Sequence, residues 1–172
     1  MLLVFWEISG FMSHNETTLE ALEIRPATQA DEAFANDLLF RTMHEYVEAT
    51  WSALEDQEYY YRINSFDASK TWIIQCSKKD IGRLTKTVIE GDCVFIDEIH
   101  ILSEYQRMGI GRRIIERVIA EAQKLGLPVK LTVLKVNCAQ NLYLRMGFNV
   151  TAEKNNRLHM ERPLSHSKAF GA

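Results

Sequence analysis

The chain reads as one mixed α/β (α+β) domain: a mostly antiparallel central sheet of six to seven strands, a parallel β-α-β unit within it, and about four helices. Three observations predict this. Short apolar or alternating segments bounded by turn residues recur from Leu22 to Arg162. Between them lie helical periodicities, the clearest placing Ile110, Ile114, Ile115, Val118, Ile119, Ala122 and Leu125 on one stripe while Arg113, Glu116, Arg117, Glu121 and Lys124 face away. Finally, the apolar run Val94 to Leu102, that helix, and the alternating Val129 to Val136 follow one another as strand, helix, strand, a succession whose two strands pair in parallel.

Composition narrows the class. With 172 residues, 47% hydrophobic and 25% charged, the chain is long enough for a single well-filled core and typical of a soluble globular protein. A net charge of −3 gives no overall basic surface for nucleic acid or an anionic membrane, so neither partner is expected and any positive site is local. The 3 cysteines, Cys76, Cys93 and Cys138, are far apart and form no C-x-x-C pair. That argues against a disulfide framework or a zinc site, and for reduced thiols in a cytoplasmic protein without a metal. Residues 1–20 are expected to be a poorly ordered extension, 21–163 the domain and 164–172 a tail. Met1 to Phe11 carries Glu7 and lacks the basic start and length of a signal or membrane segment. It reads as a dispensable piece ahead of Met12, or else as an extra strand or a partner-binding tag.

The elements follow in order. Leu22 to Arg25 alternates before Pro26, a short strand that proline ends. Thr28 with Asp31 resembles a capping box opening a helix with Ala30, Phe34, Leu38 and Arg41 or Met43 near one face. After a break near Thr50 a second helix runs from about Leu54 to Arg62. Its aromatic surroundings (Tyr46, Trp51, Tyr59, Tyr60, Tyr61) either pack it on the sheet or line a substrate slot. Trp72 to Cys76 and Gly82 to Ile89 read as strands joined by a turn at Lys78-Lys79-Asp80, and Gly91-Asp92 turns into the third strand of a meander. Gly126 caps the long helix and Pro128 prevents its continuation. A short helix over Asn137 to Met146 ends at Gly147, and Phe148 to Glu153 and Leu158 to Arg162 close the sheet around an Asn155-Asn156 turn.

The chemistry concentrates between Tyr105 and Arg117. Gly109 and Gly111 sit where strand gives way to helix, so backbone N–H groups point outward, glycine admits a ligand to that backbone, and the helix start carries about +0.5 of a charge. These features make an anion site, most naturally for phosphate, flanked by Arg107, Arg112 and Arg113; a plain turn before an ordinary helix is the alternative. No Gly-Lys pair exists for a P-loop, and Ile114 stands where a dinucleotide fingerprint has its third glycine.

Two motifs in order carry a resemblance. Gln106-Arg107-Met108-Gly109-Ile110-Gly111 resembles the acyl-CoA signature of the GNAT superfamily, and Asn137-Cys138-Ala139-Gln140-Asn141-Leu142-Tyr143-Leu144-Arg145-Met146-Gly147-Phe148 resembles its second motif. The resemblance extends over roughly Leu22 to Arg162 and implies an N-acetyltransferase using acetyl-CoA as co-substrate, with a small-molecule or peptide amine as acceptor and direct transfer in a ternary complex. By position it implies that backbone groups of Ile99, His100 and Ile101 pair with the pantetheine arm. The amides of Arg107, Met108, Gly109, Ile110, Gly111 and Arg112 then hold the pyrophosphate, Asn137 contacts the pantetheine, and Tyr143 protonates the departing thiolate. Read on its own chemistry, a phenol near pKa 10 can donate to a thiolate whose conjugate acid is near 8.5, and the bland role is a core anchor.

An amine of pKa about 10.4 is neutral in only about one molecule in 10³·⁴ at pH 7, a cost of about 4.6 kcal/mol, so a base is useful. Glu98 is the candidate, because alternation puts Glu98, His100 and Leu102 on one face of their strand and Asp97, Ile99 and Ile101 on the other. His100 and water are alternatives, a solvated or salt-bridged carboxylate is the bland reading of Glu98, and His159 is assigned no role. Cys138 can in principle form an acyl-enzyme, though a packed thiol is the simpler reading. A homodimer is possible, and the competing functional class is a non-catalytic acyl-CoA-binding module.

Overall fold

The computed structural model describes residues 22–164, so the expected N-terminal extension and nearly all of the tail lie outside the described residues. The elements are β1 (Leu22–Pro26), α1 (Glu32–Thr50), α2 (Leu54–Ile63), β2 (Thr71–Cys76), β3 (Lys79–Ile89), β4 (Cys93–Ile101), α3 (Ile110–Leu125), β5 (Val129–Leu134), α4 (Gln140–Arg145), β6 (Asn149–Lys154) and β7 (Arg157–Arg162). One 7-stranded sheet has the order β1-β2-β3-β4-β5-β7-β6. Every neighbouring pair is antiparallel except β4 with β5, as the strand-helix-strand succession predicts.

The helices cover both faces. The α3 stripe is buried through Ile110, Ile114, Ile115, Val118, Ile119 and Ala122, in a core shared with Val94, Ile96, Val129, Leu131 and Phe148. Each such side chain stabilises by about 1.5–3 kcal/mol relative to exposure. A smaller cluster joins Leu39, Met43 and Val47 of α1 to Tyr60 of α2 and Leu134 of β5. Gly126 ends α3 at φ 69°, and Leu127 N–H reaches back 2.9 Å to the Ala122 carbonyl, the Schellman closure that the Gly-x-Pro ending predicts.

Three local expectations change. The Thr28-Asp31 pair does not open the long helix. It closes a 3-10 turn over Gln29–Asp31, where Thr28 N–H donates to Asp31 Oδ2 at 2.8 Å, and α1 follows from Glu32. Its buried face is therefore Ala35, Leu38, Leu39, Met43 and Val47, with Ala30 exposed. Second, the β2–β3 turn is Ser77-Lys78, at φ 51° and 65°, one position earlier than expected; neither residue signals the left-handed region that Asn155 and Asn156 announce for β6–β7. Third, β4 does not alternate evenly. Thr85 pairs with Glu98 but Lys86 with Ile96, so Asp97 is an extra residue, a β-bulge, and Ile96 and Ile99 both meet the core under α3.

Candidate active site

The bulge shapes the site. Parallel pairing between β4 and β5 runs only through Val94–Val129, Phe95–Lys130 and Ile96–Leu131. Beyond it, β4 continues to Ile101 and β5 to Leu134 without pairing to each other, and a cleft of about 290 Å³ opens between them, lined among others by Met43, Tyr60, Glu98, His100, Asn137 and Tyr143. Leu102 N–H bonds to the Ile81 carbonyl of β3, and antiparallel alternation then turns the N–H and C=O of Ile99 and Ile101 away from β3, toward the cleft. The backbone groups of His100 face β3 instead. Strand-like pairing with an extended ligand is thus open to Ile99 and Ile101, and the Ile101 carbonyl already accepts from Gln106 Nε2 at 2.8 Å.

The turn after β4 is built for backbone approach. Arg107 takes φ 60° and Gly109 φ 83°, and the first intrahelical bond of α3 runs from Arg113 N–H to the Gly109 carbonyl at 3.0 Å. The amides of Ile110, Gly111 and Arg112 thus precede the hydrogen-bonded ladder. Arg107, Met108, Gly109 and Arg112 are exposed or half-exposed, while the Ile110 side chain is in the core. A Cβ on Gly111 would meet only ordinary contacts, Ile101 Cδ1 at 3.6 Å and Leu142 Cδ2 at 3.7 Å, so packing does not require glycine there.

Glu98 is salt-bridged, as its bland reading allowed, and buried rather than solvated. Its side chain is 8% exposed, and Oε2 is held by Nη2 of Arg83, a fully buried arginine. Desolvation pulls the Arg83 pKa down, and the Glu98 charge opposes that shift. The other oxygen, Oε1, has no hydrogen-bond partner and lies 3.9 Å from His100 Nε2, which has none either. His100 Nδ1 is 2.9 Å from Thr42 Oγ1, and Thr42 donates its only proton to the Leu38 carbonyl at 2.7 Å. Nδ1 therefore carries the neutral ring's proton, and Nε2 presents a lone pair. Two buried acceptors facing one point suit a donor-rich guest, an amine or a water.

Asn137 lies in the loop ahead of α4. Its Oδ1 accepts from Ala139 N–H at 2.9 Å, while Nδ2 reaches only Met43 Sδ at 3.9 Å, leaving amide donors on the cleft side. Tyr143 is buried on α4, edge-on to Phe148 at 5.8 Å between ring centroids, and burial pushes its hydroxyl up to about 12. The Cys138 thiol is exposed and bonds the Tyr46 hydroxyl at 3.4 Å, so the packed-thiol reading of it does not hold. Across the sheet His159 is bonded through Nδ1 to Thr132 Oγ1 at 3.2 Å.

Sequence reasoning missed Arg83, Thr42 and Arg157. Arg83 offered a faint signal, a cation between Ile81 and Leu84 in an otherwise apolar strand; Thr42 and Arg157 offered none. Among the described residues, no group of three or more His, Cys, Asp or Glu converges on a metal-sized site, and no helix is long and apolar enough to cross a membrane.

A family model described as the acetyltransferase (GNAT) family matches residues 40–148. Among solved structures, the PaiA N-acetyltransferase of Thermoplasma acidophilum, crystallised with coenzyme A, superposes with a TM-score of 0.67 at 18% identity, over 83% of this chain and 98% of that one. N-acetylglutamate synthase of Neisseria gonorrhoeae, complexed with coenzyme A and N-acetyl-glutamate, gives 0.61 at 18% identity over 84% of this chain and 35% of its own. Ard1 of Thermoplasma volcanium gives 0.60 at 14% identity, over 85% of this chain and 99% of its own. At these identities the likeness is one of fold. No curated protein matches the sequence significantly.

Proposed function

The chain belongs to the acetyltransferase (GNAT) family, and we propose that it moves the acetyl group of acetyl-CoA to the amine of a small molecule or peptide, in a cytoplasmic setting, by direct attack in a ternary complex. The observation that carries this reading is the cleft itself. It has strand backbone at Ile99 and Ile101 turned away from β3 and unpaired with β5, helix-start amides from Ile110 to Arg112 ahead of the α3 ladder, a buried unpartnered carboxylate oxygen on Glu98 and a buried phenol on Tyr143.

In this reading the turn amides hold the pyrophosphate, and Ile99, Ile101 and the amide of Asn137 hold the extended arm. Glu98 Oε1, directly or through a water shared with His100 Nε2, takes a proton from the acceptor ammonium. The neutral nitrogen bonds to the acetyl carbon as the carbon–sulfur bond breaks, the nitrogen's second excess proton passes to the departing thiolate to give free CoA, and the Tyr143 hydroxyl meets the thiolate charge with a hydrogen bond. The Arg83 ion pair serves to fix the Glu98 rotamer so that Oε1 faces the guest. The same pairing is the one observation favouring the alternative, a non-catalytic acyl-CoA-binding module, since it occupies half of the would-be base.

Thermal unfolding with acetyl-CoA, free CoA and NADH tests the cofactor side. At 100 times its Kd a ligand adds about 2.7 kcal/mol, or roughly 5 to 11 °C for a domain of this size. The expected result is a shift with both CoA species and none with NADH. No shift with either at millimolar concentration would remove the assignment. Release of CoA on adding amines then separates an enzyme from a binding module.

A further inference from the structure

On the acceptor side of the cleft stands a cation without a counter-charge. Arg157 opens β7 immediately after the left-handed Asn155-Asn156 turn and pairs with Leu134 of β5 on one side and Lys154 of β6 on the other. That register brings its guanidinium over two rings, 5.9 Å from the Trp51 centroid and 5.8 Å from that of Tyr60. The rings lie 5.7 Å apart at 40°. No ion pair or hydrogen bond from this guanidinium is present among the described residues. Stacking fixes the fork and leaves its N–H edge for a planar anion.

Arg157 also occupies a junction. A second cleft, of about 570 Å³, adjoins the first, and the residues common to both are Tyr60, Ile63 and Arg157, of which only Arg157 is charged. Lys154 adds a second cation to the second cleft, and its lone carboxylate, Asp56, makes no ion pair with Arg157. The first cleft holds two carboxylates, Asp97 with Lys70 nearby and Glu98 with one oxygen on Arg83 and the other unpartnered. Tyr60 feels both ends: its hydroxyl is raised chiefly by burial, further by Glu98, and lowered by Arg157. Opposite charges within electrostatic reach of one phenol make a bipolar slot.

We propose that the acceptor is a small zwitterion, an amine that also bears a carboxylate, with its amine at Glu98 and its carboxylate on the fork of Arg157. This rests on the acetyl transfer proposed above and makes Arg157 a specificity-determining residue.

The test measures CoA release from acetyl-CoA with free amino acids, β-alanine and γ-aminobutyrate, each beside its own carboxamide, which keeps the amine and removes the negative charge. Wild-type protein is expected to favour the best acid over its amide by about 10- to 100-fold in kcat/KM, the range for a charge-assisted hydrogen bond. Arg157→Gln should bring that ratio near one, chiefly through the acceptor KM, with the KM for acetyl-CoA unchanged. Arg157→Lys should retain part of it. A purely structural role for Arg157 would lower both rates alike and leave the ratio intact, which overturns the proposal. So does an amide that matches its acid, or a failure of every acid while acetyl-CoA still shifts the melting temperature. Absence of that shift would instead sink the acetyl-transfer reading beneath it.

Discussion

Tyr143 is a weaker acid than its free counterpart, and that limits what it does. Burial pushes its hydroxyl up to about 12, above a thiol's value of about 8.5, so full proton transfer is uphill unless the thiolate is equally desolvated and the phenol acts mainly as a hydrogen-bond donor. Tyr143→Phe is expected to lower kcat by about 10²-fold, the low end for a general acid, with the acetyl-CoA melting shift retained. Equal turnover would take Tyr143 out of the mechanism. Arg83 and Glu98 form a buried pair, and Arg83→Leu leaves a carboxylate without its partner, at a cost of about 3–5 kcal/mol in urea unfolding. The double variant with Glu98→Leu should lose less; a loss equal to the sum of the two single-variant losses would mean that the pair is not coupled. At the domain margin Arg25 donates to both carboxylate oxygens of Asp31, at 2.8 and 2.9 Å, and holds that carboxyl well below its ordinary range. A depressed folded-state pKa gives stability that is present above the unfolded value of about 3.9 and lost as pH falls toward the folded value. Asp31→Asn should therefore be less stable at pH 7, with the gap narrowing steadily below about pH 4 in a series of denaturation curves. A constant gap would contradict this.

The α3 stripe and the Gly126 cap were legible because many residues repeat one period and the end carries its own chemistry. The β4 bulge was not, since one inserted residue leaves the local alternation of Glu98 with His100 intact and is visible only in the register against β3. The Ser77-Lys78 turn was missed for a similar reason: its left-handed geometry is imposed by the strands it joins, not invited by its residues. Among the candidate site residues, the glycine turn, Asn137 and Tyr143 were found through contiguous motifs. Arg83 and Arg157 come to the cleft from elsewhere in the chain, which no spacing encodes. The start of α3 carries a prediction that separates fold from binding. Gly111→Ala adds a methyl where space exists and gains up to about 1 kcal/mol of helix propensity, so the melting temperature should rise by about 2–4 °C. The same methyl sits among the amides assigned to pyrophosphate, so the acetyl-CoA shift should shrink. An undiminished shift would place the anion elsewhere.

The described residues form a sheet with seven strands held continuous at one end of the β4–β5 pair and parted at the other. The architecture was readable from order, strand, two helices, meander, helix, strand, helix, hairpin, and the family from the two motifs at Gln106 to Gly111 and Asn137 to Phe148. The acceptor was not, because α1, α2 and the β6–β7 hairpin, whose residues line the two clefts, carry no motif of their own. The parted strands also bear on how the protein keeps in solution. Unsatisfied N–H and C=O groups in mid-sheet are a template for any stray extended segment, another copy's included, and ordinary sheets hide such groups at covered or charged margins. In the function proposed above, the cover is the co-substrate. Purified protein stripped of CoA should therefore gain light scattering on mild warming well before its own melting, and a saturating excess of CoA should suppress it. Equal scattering with and without CoA would mean that the opening is too narrow to admit a chain. Suppression by CoA would make the proposed co-substrate a solubility factor for this protein as well as its reagent.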